Sequence, residues 1–245
     1  MKHYVILFFL IASLCVHASK PPPIIAQAKK LASDAAQNTT TPMPIIAIAG
    51  GPGAGKTYFT QQFQEILSQE GHSVSIIEQD NFLLYNETGF DVLTDINPRL
   101  KWKQLNQTLQ EVAARKGNVL LPFRNKTERP FTTEYKTVSF AHTELVLFDG
   151  KHALSGPETF NFFSHCTFGI FIDTNIENMA SWKEARELAR PSQIQKEQEL
   201  FDKQMLWGLE IYRNYILPTK KNASFVIYHD QTHTISLAKE PNDDQ

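Results

Sequence analysis

The sequence predicts an α/β fold, a parallel sheet with helices on both faces. Three observations predict it. Apolar strand-like runs at 45–49, 74–78, 145–148, 168–172 and 224–228 alternate with helical patterns. The first run, IIAIA, is continuously apolar, as a strand buried on both faces requires. It leads straight into GGPGAGKT at 50–57, which fits G-x-x-x-x-G-K-T, and then into a helical pattern.

Each element has its own signal. After the loop, Phe59, Phe63, Ile66 and Leu67 fall at i, i+4, i+7 and i+8, one face of a helix, and Gly71 supplies a stop. Residues 103–116 place Leu105, Leu109, Val112 and Ala113 on one face, and 175–189 and 192–214 are also helical in pattern. The 245 residues suffice for one such domain, expected over 44–238. Residues 19–43 are rich in Pro, Ala, Gln, Lys and Thr and read as a linker, with a short helix inside 24–36. The tail 239–245 is polar and acidic and is expected to be disordered.

The first residues follow another pattern. Lys2 and His3 precede an apolar run over 4–16, followed by Val16-His17-Ala18. This predicts a signal peptide, residues 1–18, cleaved near Ala18. The expected product is exported, whether periplasmic, secreted or delivered to a lumen or host cell containing ATP, with no stable membrane insertion after cleavage. Cleavage would leave Cys166 as the single cysteine, in an apolar run that suits a core residue. A net charge of −2 supplies no global field for nucleic acid or a membrane surface.

The loop carries the chemistry. Its glycines permit tight turns, so that successive N–H groups of Gly51, Pro52, Gly53, Ala54, Gly55, Lys56, Thr57 and Tyr58 (Pro52 excepted, which has none) surround a polyphosphate. Lys56 would reach the terminal phosphates, Thr57 would hold Mg²⁺, and the helix N-terminus adds partial positive charge. A Gly-rich turn without a ligand is the bland reading, and the flanking strand and helix weigh against it.

Further acidic and basic residues sit where a phosphoryl-transfer site needs them. Asp80, in EQDNF at 78–82, follows the second strand. A carboxylate there points into the ligand crevice of a parallel sheet and could take a proton from an acceptor hydroxyl, although a turn cap fits the position equally. Asp149 ends the strand LVLFD and suits a Mg²⁺ position, with an Asp-Gly turn as the alternative. Lys183 and Arg186 are three apart on a predicted helix and could neutralise the transferring phosphoryl group. A solvated helix face fits that spacing as well.

These segments together resemble the uridine kinase/phosphoribulokinase family of phosphate-loop kinases, from about residue 45 to 227. The opening strand and loop match IIAIAGGPGAGKT, and the D-x-F motif that carries the family's catalytic base matches Asp80-Asn81-Phe82. The strand ending in E-G is similar to VLFDG, with Asp149 for Glu. The lid pattern R-x-x-R-R-x-x-R-D resembles the segment to Glu187, with Lys183 and Arg186 at two basic positions and Met179 and Trp182 where the family has arginine. The late segment F-x-x-P-T-K-x-x-A-D-x-I-I is similar to YILPTKKNASFVI at 215–227. The resemblance implies a three-layer, nucleoside-monophosphate-kinase-like fold with a helical lid, and ATP with Mg²⁺.

The acceptor side departs from that pattern. H-P-x-A-F-D corresponds to NPRLK at 97–101, and P-x-Y-D to PFRN at 122–125. Acid is exchanged for base at Arg99, Lys101, Arg124, Lys126 and Arg129. Asp80, Phe82, Arg99, Lys101, Arg124 and Arg129 are therefore the expected acceptor contacts. The expected activity is transfer of the ATP γ-phosphate to a hydroxyl of a small molecule that carries a negative charge. A nucleoside kinase is one alternative, and an exported nucleotide-binding module without transferase activity is another.

Overall fold

The computed structural model describes residues 23–83, 100–125, 133–190, 198–231 and 235–239. The expected signal peptide, Arg99, Lys126, Arg129 and residues 240–245 lie outside these. In chain order the elements are α1 (Pro23–Gln37), β1 (Ile45–Gly50), α2 (Lys56–Gln69), β2 (Val74–Glu78), α3 (Trp102–Ala113), β3 (Asn118–Arg124), β4 (Thr133–Ser139), β5 (Leu145–Asp149), β6 (Phe168–Asp173), α4 (Ile176–Leu188), α5 (Gln198–Ile211), β7 (Phe225–His229) and β8 (Ile235–Lys239).

The main sheet has the order β2-β5-β1-β6-β7-β8. The first five strands are mutually parallel, and β8 runs antiparallel to β7. Every residue of β1 and β5 is buried. Neighbouring side chains of a strand point to opposite faces, so both faces of the sheet centre are covered, which gives the three layers expected. Burial of Ile45, Ile46 and Ile48 contributes about 1.5–3 kcal/mol each. The register sets Ile48 beside Asp149, Gly50 beside Ile172 and Glu78 beside Asp149. The C-terminal ends of β1, β2, β5 and β6 thus meet at one edge, where an open parallel sheet forms its ligand crevice.

Within the stretch read as a linker, the described residues from Pro23 onward differ from that reading. Within them α1 buries Ile24, Ile25, Ala28, Ala32 and Ala35 and packs against β5 and α2. Lys29 Nζ donates to Glu70 Oε2 of α2 at 2.8 Å. The helix end is held by Arg115, which donates from Nε to the Thr41 carbonyl (2.7 Å) and from Nη2 to the Ala35 carbonyl (3.1 Å). Cations at a helix C-terminus satisfy its last carbonyls in this way. The buried face is mostly alanine, so its apolar signal is weak in sequence.

The β3–β4 hairpin forms a separate antiparallel sheet that packs on α3 and on the turn after β2. It was not foreseen, because β4 is polar and almost wholly exposed and offers no alternation to read. At the other end of the chain, α4 starts on an N-cap at Asn175, whose side chain accepts from the Asn178 amide at 2.8 Å. Beyond α5, a π-helical turn over Tyr212–Ile216 passes into the 3₁₀ turn Leu217–Asn222, which contains the Pro-Thr-Lys segment.

Arg115→Asn tests the docking of α1. Asparagine tolerates the left-handed backbone at this site (φ 57°) but cannot reach both carbonyls. The expected loss is about 1–3 kcal/mol in urea denaturation. An unchanged midpoint would mean that α1 is held by packing alone.

Candidate active site

The loop between β1 and α2 has the backbone that a phosphate cradle needs. Gly53 and Gly55 adopt φ of 87° and 88°, where L side chains are strained. A Cβ on Gly53 would also lie 2.5 Å from the Met179 carbonyl of α4, and one on Gly51 would collide with Met179 Sδ. The glycines therefore serve two ends at once: they turn the loop and let α4 sit directly on it.

Lys56 donates from Nζ to the carbonyls of Gly50 (3.0 Å) and Gly51 (2.9 Å). Part of its surface stays accessible, yet protein crowds the ammonium closely enough that burial pulls its pKa down. Asp149 and Asp80 push it back up, and Arg186 opposes them. Thr57 Oγ1 donates to Asp149 Oδ2 at 2.7 Å. Burial holds the Asp149 carboxyl above its usual value against the pull of Lys56 and the Thr57 hydrogen bond, and Asp80 and Glu78 add to the rise.

Asp80 lies in the one-turn 3₁₀ helix Gln79–Phe82 that leaves β2. It is near enough to Lys56, Asp149 and Arg186 to bear on the protonation of all three. Arg186, on α4, keeps accessible surface but lies among protein atoms, and burial and Arg190 lower its pKa while Asp80 and Glu187 raise it. Lys183 places its Nζ 5.9 Å from the centre of the Phe201 ring of α5, with its stem beside Gly53. Lys56, Thr57, Asp80, Asp149, Lys183 and Arg186 are thus gathered at one edge. Tyr58 is half-buried on the first turn of α2, where burial and Glu65 raise its pKa.

The acceptor-side residues divide. Arg124, at the end of β3, donates its backbone N–H to Asn81 Oδ1 at a long 3.4 Å, so it adjoins the Asp80 turn. Lys101 is held by the hairpin, donating to Tyr135 Oη at 2.8 Å. Phe82 is placed differently from expectation: its side chain belongs to the hydrophobic core and anchors the turn, presenting almost no surface to a ligand. Met179 is likewise core, which accounts for the missing arginine there. Trp182 packs on His229 with ring centres 4.6 Å apart. His229 Nδ1 donates to the Ala54 carbonyl at 3.0 Å, which fixes that tautomer.

Sequence reasoning missed His229, Tyr212 and the Asp173–Lys220 pair. Lys220 Nζ donates to Asp173 Oδ2 at 2.7 Å. Tyr212 lies against Gly51, and burial and Asp173 push its hydroxyl up to about 12. The available signal was topological. Asp173 and His229 end parallel strands, and strand ends line the crevice.

Two hard oxygen donors, the Thr57 hydroxyl and the Asp149 carboxylate, suit Mg²⁺ that arrives with nucleotide phosphates. Among the described residues no cluster of three or more His, Cys, Asp or Glu side chains could hold a metal by itself.

A family model described as chromatin associated protein KTI12 matches residues 43–114, the part that carries the loop and Asp80. No curated protein matches the chain. Among solved structures, D-glycerate 3-kinase from Cryptococcus neoformans is 12% identical with a TM-score of 0.65, covering 89% of this chain and 98% of its own. Phosphoribulokinase from Rhodobacter spheroides is 17% identical with a TM-score of 0.58, covering 79% and 71%. A possible uridine kinase from Bacillus stearothermophilus is 15% identical with a TM-score of 0.52, covering 84% and 99%. The chain has the fold of the phosphate-loop kinases, as the sequence resemblance implied.

Asp149→Asn has a signed consequence. A carboxyl whose folded pKa is raised stabilises the fold below the ordinary value of about 4 and loses that contribution as pH rises through the raised value. Asparagine mimics the neutral form and keeps an acceptor for Thr57. The variant's melting temperature should equal that of wild type near pH 4 and match or exceed it at pH 7, while Mg²⁺-dependent nucleotide binding is lost. A clear drop in melting temperature at pH 7 would contradict the burial argument.

Proposed function

We propose that the protein is an ATP- and Mg²⁺-dependent small-molecule kinase that phosphorylates a hydroxyl of an anionic acceptor. The convergence of Asp80 with Lys56, Asp149 and Arg186 at the mouth of a glycine loop carries this reading. Structural likeness to small-molecule phosphotransferases supports it. Magnesium, when bound with the nucleotide, neutralises charge on the phosphoryl oxygens.

The residues then divide the work. Lys56 exchanges its loop carbonyls for phosphate oxygens, and Thr57 and Asp149 hold the metal. Asp80 takes the proton of the acceptor hydroxyl as its oxygen bonds to the γ-phosphorus. The bond from that phosphorus to the bridging oxygen breaks, and ADP leaves with the electron pair. Lys183 and Arg186 offset charge on the moving group. Arg124 adjoins the Asp80 turn through its backbone N–H, and its guanidinium would supply the paired donors that an anionic acceptor needs. Two of the neighbours are named for acceptors of that chemistry, glycerate and a phosphorylated ribulose.

Met179 in the core and Trp182 against His229 favour a second reading, a nucleotide-binding module without transfer. Asp80→Asn separates the two. On the kinase reading its turnover falls about 10²–10⁴-fold with nucleotide affinity kept. Wild type without transfer, equal to the variant, would leave the module.

A screen of hydroxy acids and sugar phosphates against neutral nucleosides tests the acceptor, and turnover of nucleosides alone would sink the anionic assignment. The apolar segment at 4–16 supports export before or during folding. Purified secreted protein should lack residues 1–18 by intact mass, and retention of them in the cytoplasm would refute it.

A further inference from the structure

Gln79 is buried, with 1% of its surface accessible. Its Oε1 accepts the backbone N–H of His152 at 3.0 Å. The same side chain fills the space above Gly150: a Cβ at 150 would collide with Gln79 Oε1 and lie 2.8 Å from Gln79 Cβ. Gln79 Nε2 is buried without a hydrogen-bond partner among the described residues.

Stability gains little from an amide here. Its oxygen satisfies the buried His152 N–H, but its own donor, buried without a partner among the described residues, costs about 1–3 kcal/mol, so the two largely cancel. The amide's place explains it. β2 and β5 are paired up to Glu78 and Asp149, and beyond that register no ladder bond joins the two chain segments. Asp80 follows Gln79 directly, and Gly150-Lys151-His152 follows Asp149 directly. The Gln79–His152 hydrogen bond is a cross-tie between the two turns.

We infer that Gln79 is a positioning residue that sets the Asp80 carboxylate relative to the Thr57–Asp149 metal site, an inference that rests on the kinase reading for its catalytic consequence. Gly150 is its steric counterpart, because only glycine leaves room for the amide to pass. The His152 ring takes no part in the tie. It packs edge-on against Phe160 at 5.0 Å, and burial with the nearby Lys151 and Lys56 keeps it neutral.

The test uses Gln79→Met, which keeps length and bulk and removes the acceptor oxygen. kcat is expected to fall about 10- to 100-fold, with nucleotide Kd within about twofold and the melting temperature close to that of wild type, because the variant exchanges one orphaned donor, Gln79 Nε2, for another, the His152 N–H. A merely structural residue would lower the melting temperature with the rate. Placed on Asp80→Asn, Gln79→Met should cost no further rate, since the two act as a unit. Amide hydrogen exchange provides a readout independent of turnover: exchange at His152 and across 79–83 should quicken about tenfold in Gln79→Met. Normal kcat in Gln79→Met, or unchanged exchange, overturns the proposal. Quickened exchange in a wild-type background that transfers no phosphate would sustain the tie and remove the kinase reading instead.

Discussion

A crowded ammonium at Lys56 sets the terms for everything at the C-terminal edge of the sheet. Two loop carbonyls satisfy its protons, but its charge needs carboxylates nearby. The strand order supplies them, because β5 and then β2 lie beside β1 and deliver Asp149 and Asp80 to the same end. This creates a second tension: Asp80 and Glu78 add to the cost of ionising Asp149, which burial already holds above its usual pKa. A polyphosphate bound with a divalent cation would relieve both, offering Lys56 anionic oxygens and Asp149 a positive neighbour.

The glycines of the loop make a further demand on α4. Its first turns are fixed on the loop through Met179, so they pack rather than clamp. Position 182 has a comparable task, since Trp182 covers His229, whose ring is tied to Ala54. The two positions that lack the expected arginine are thus both occupied in bracing the loop. The cations fall on the next turn of α4, at Lys183 and Arg186, with Asp80 and Glu187 near Arg186.

Those elements explain what the sequence could and could not disclose. β1 and β5 were legible because a strand covered on both faces must be apolar throughout, and IIAIA and LVLFD are. Lys56, Thr57, Asp80 and Asp149 were legible because fixed spacing binds them to strand ends. α1 was half legible: its period was visible, but a face of alanines does not announce that it is buried. The β3–β4 hairpin was not legible, since its outer strand buries nothing. Phe82 misled because a motif records which residue stands at a position and not which way its side chain turns.

The turn Gln79–Phe82 joins these arguments. Phe82 is sunk in the core, Asn81 meets the Arg124 amide, and Gln79 holds the His152 amide. Of the four residues only Asp80 is exposed. An exposed carboxylate is thus carried among three anchored neighbours, on a turn braced from the core, from β3 and from the Asp149 turn. Such bracing leaves few backbone degrees of freedom for Asp80, and a general base works only when its oxygen is held within hydrogen-bond reach of the proton it takes. A solvated cap would need none of the three anchors, so the anchors themselves argue that the position of Asp80 is what the turn exists to fix.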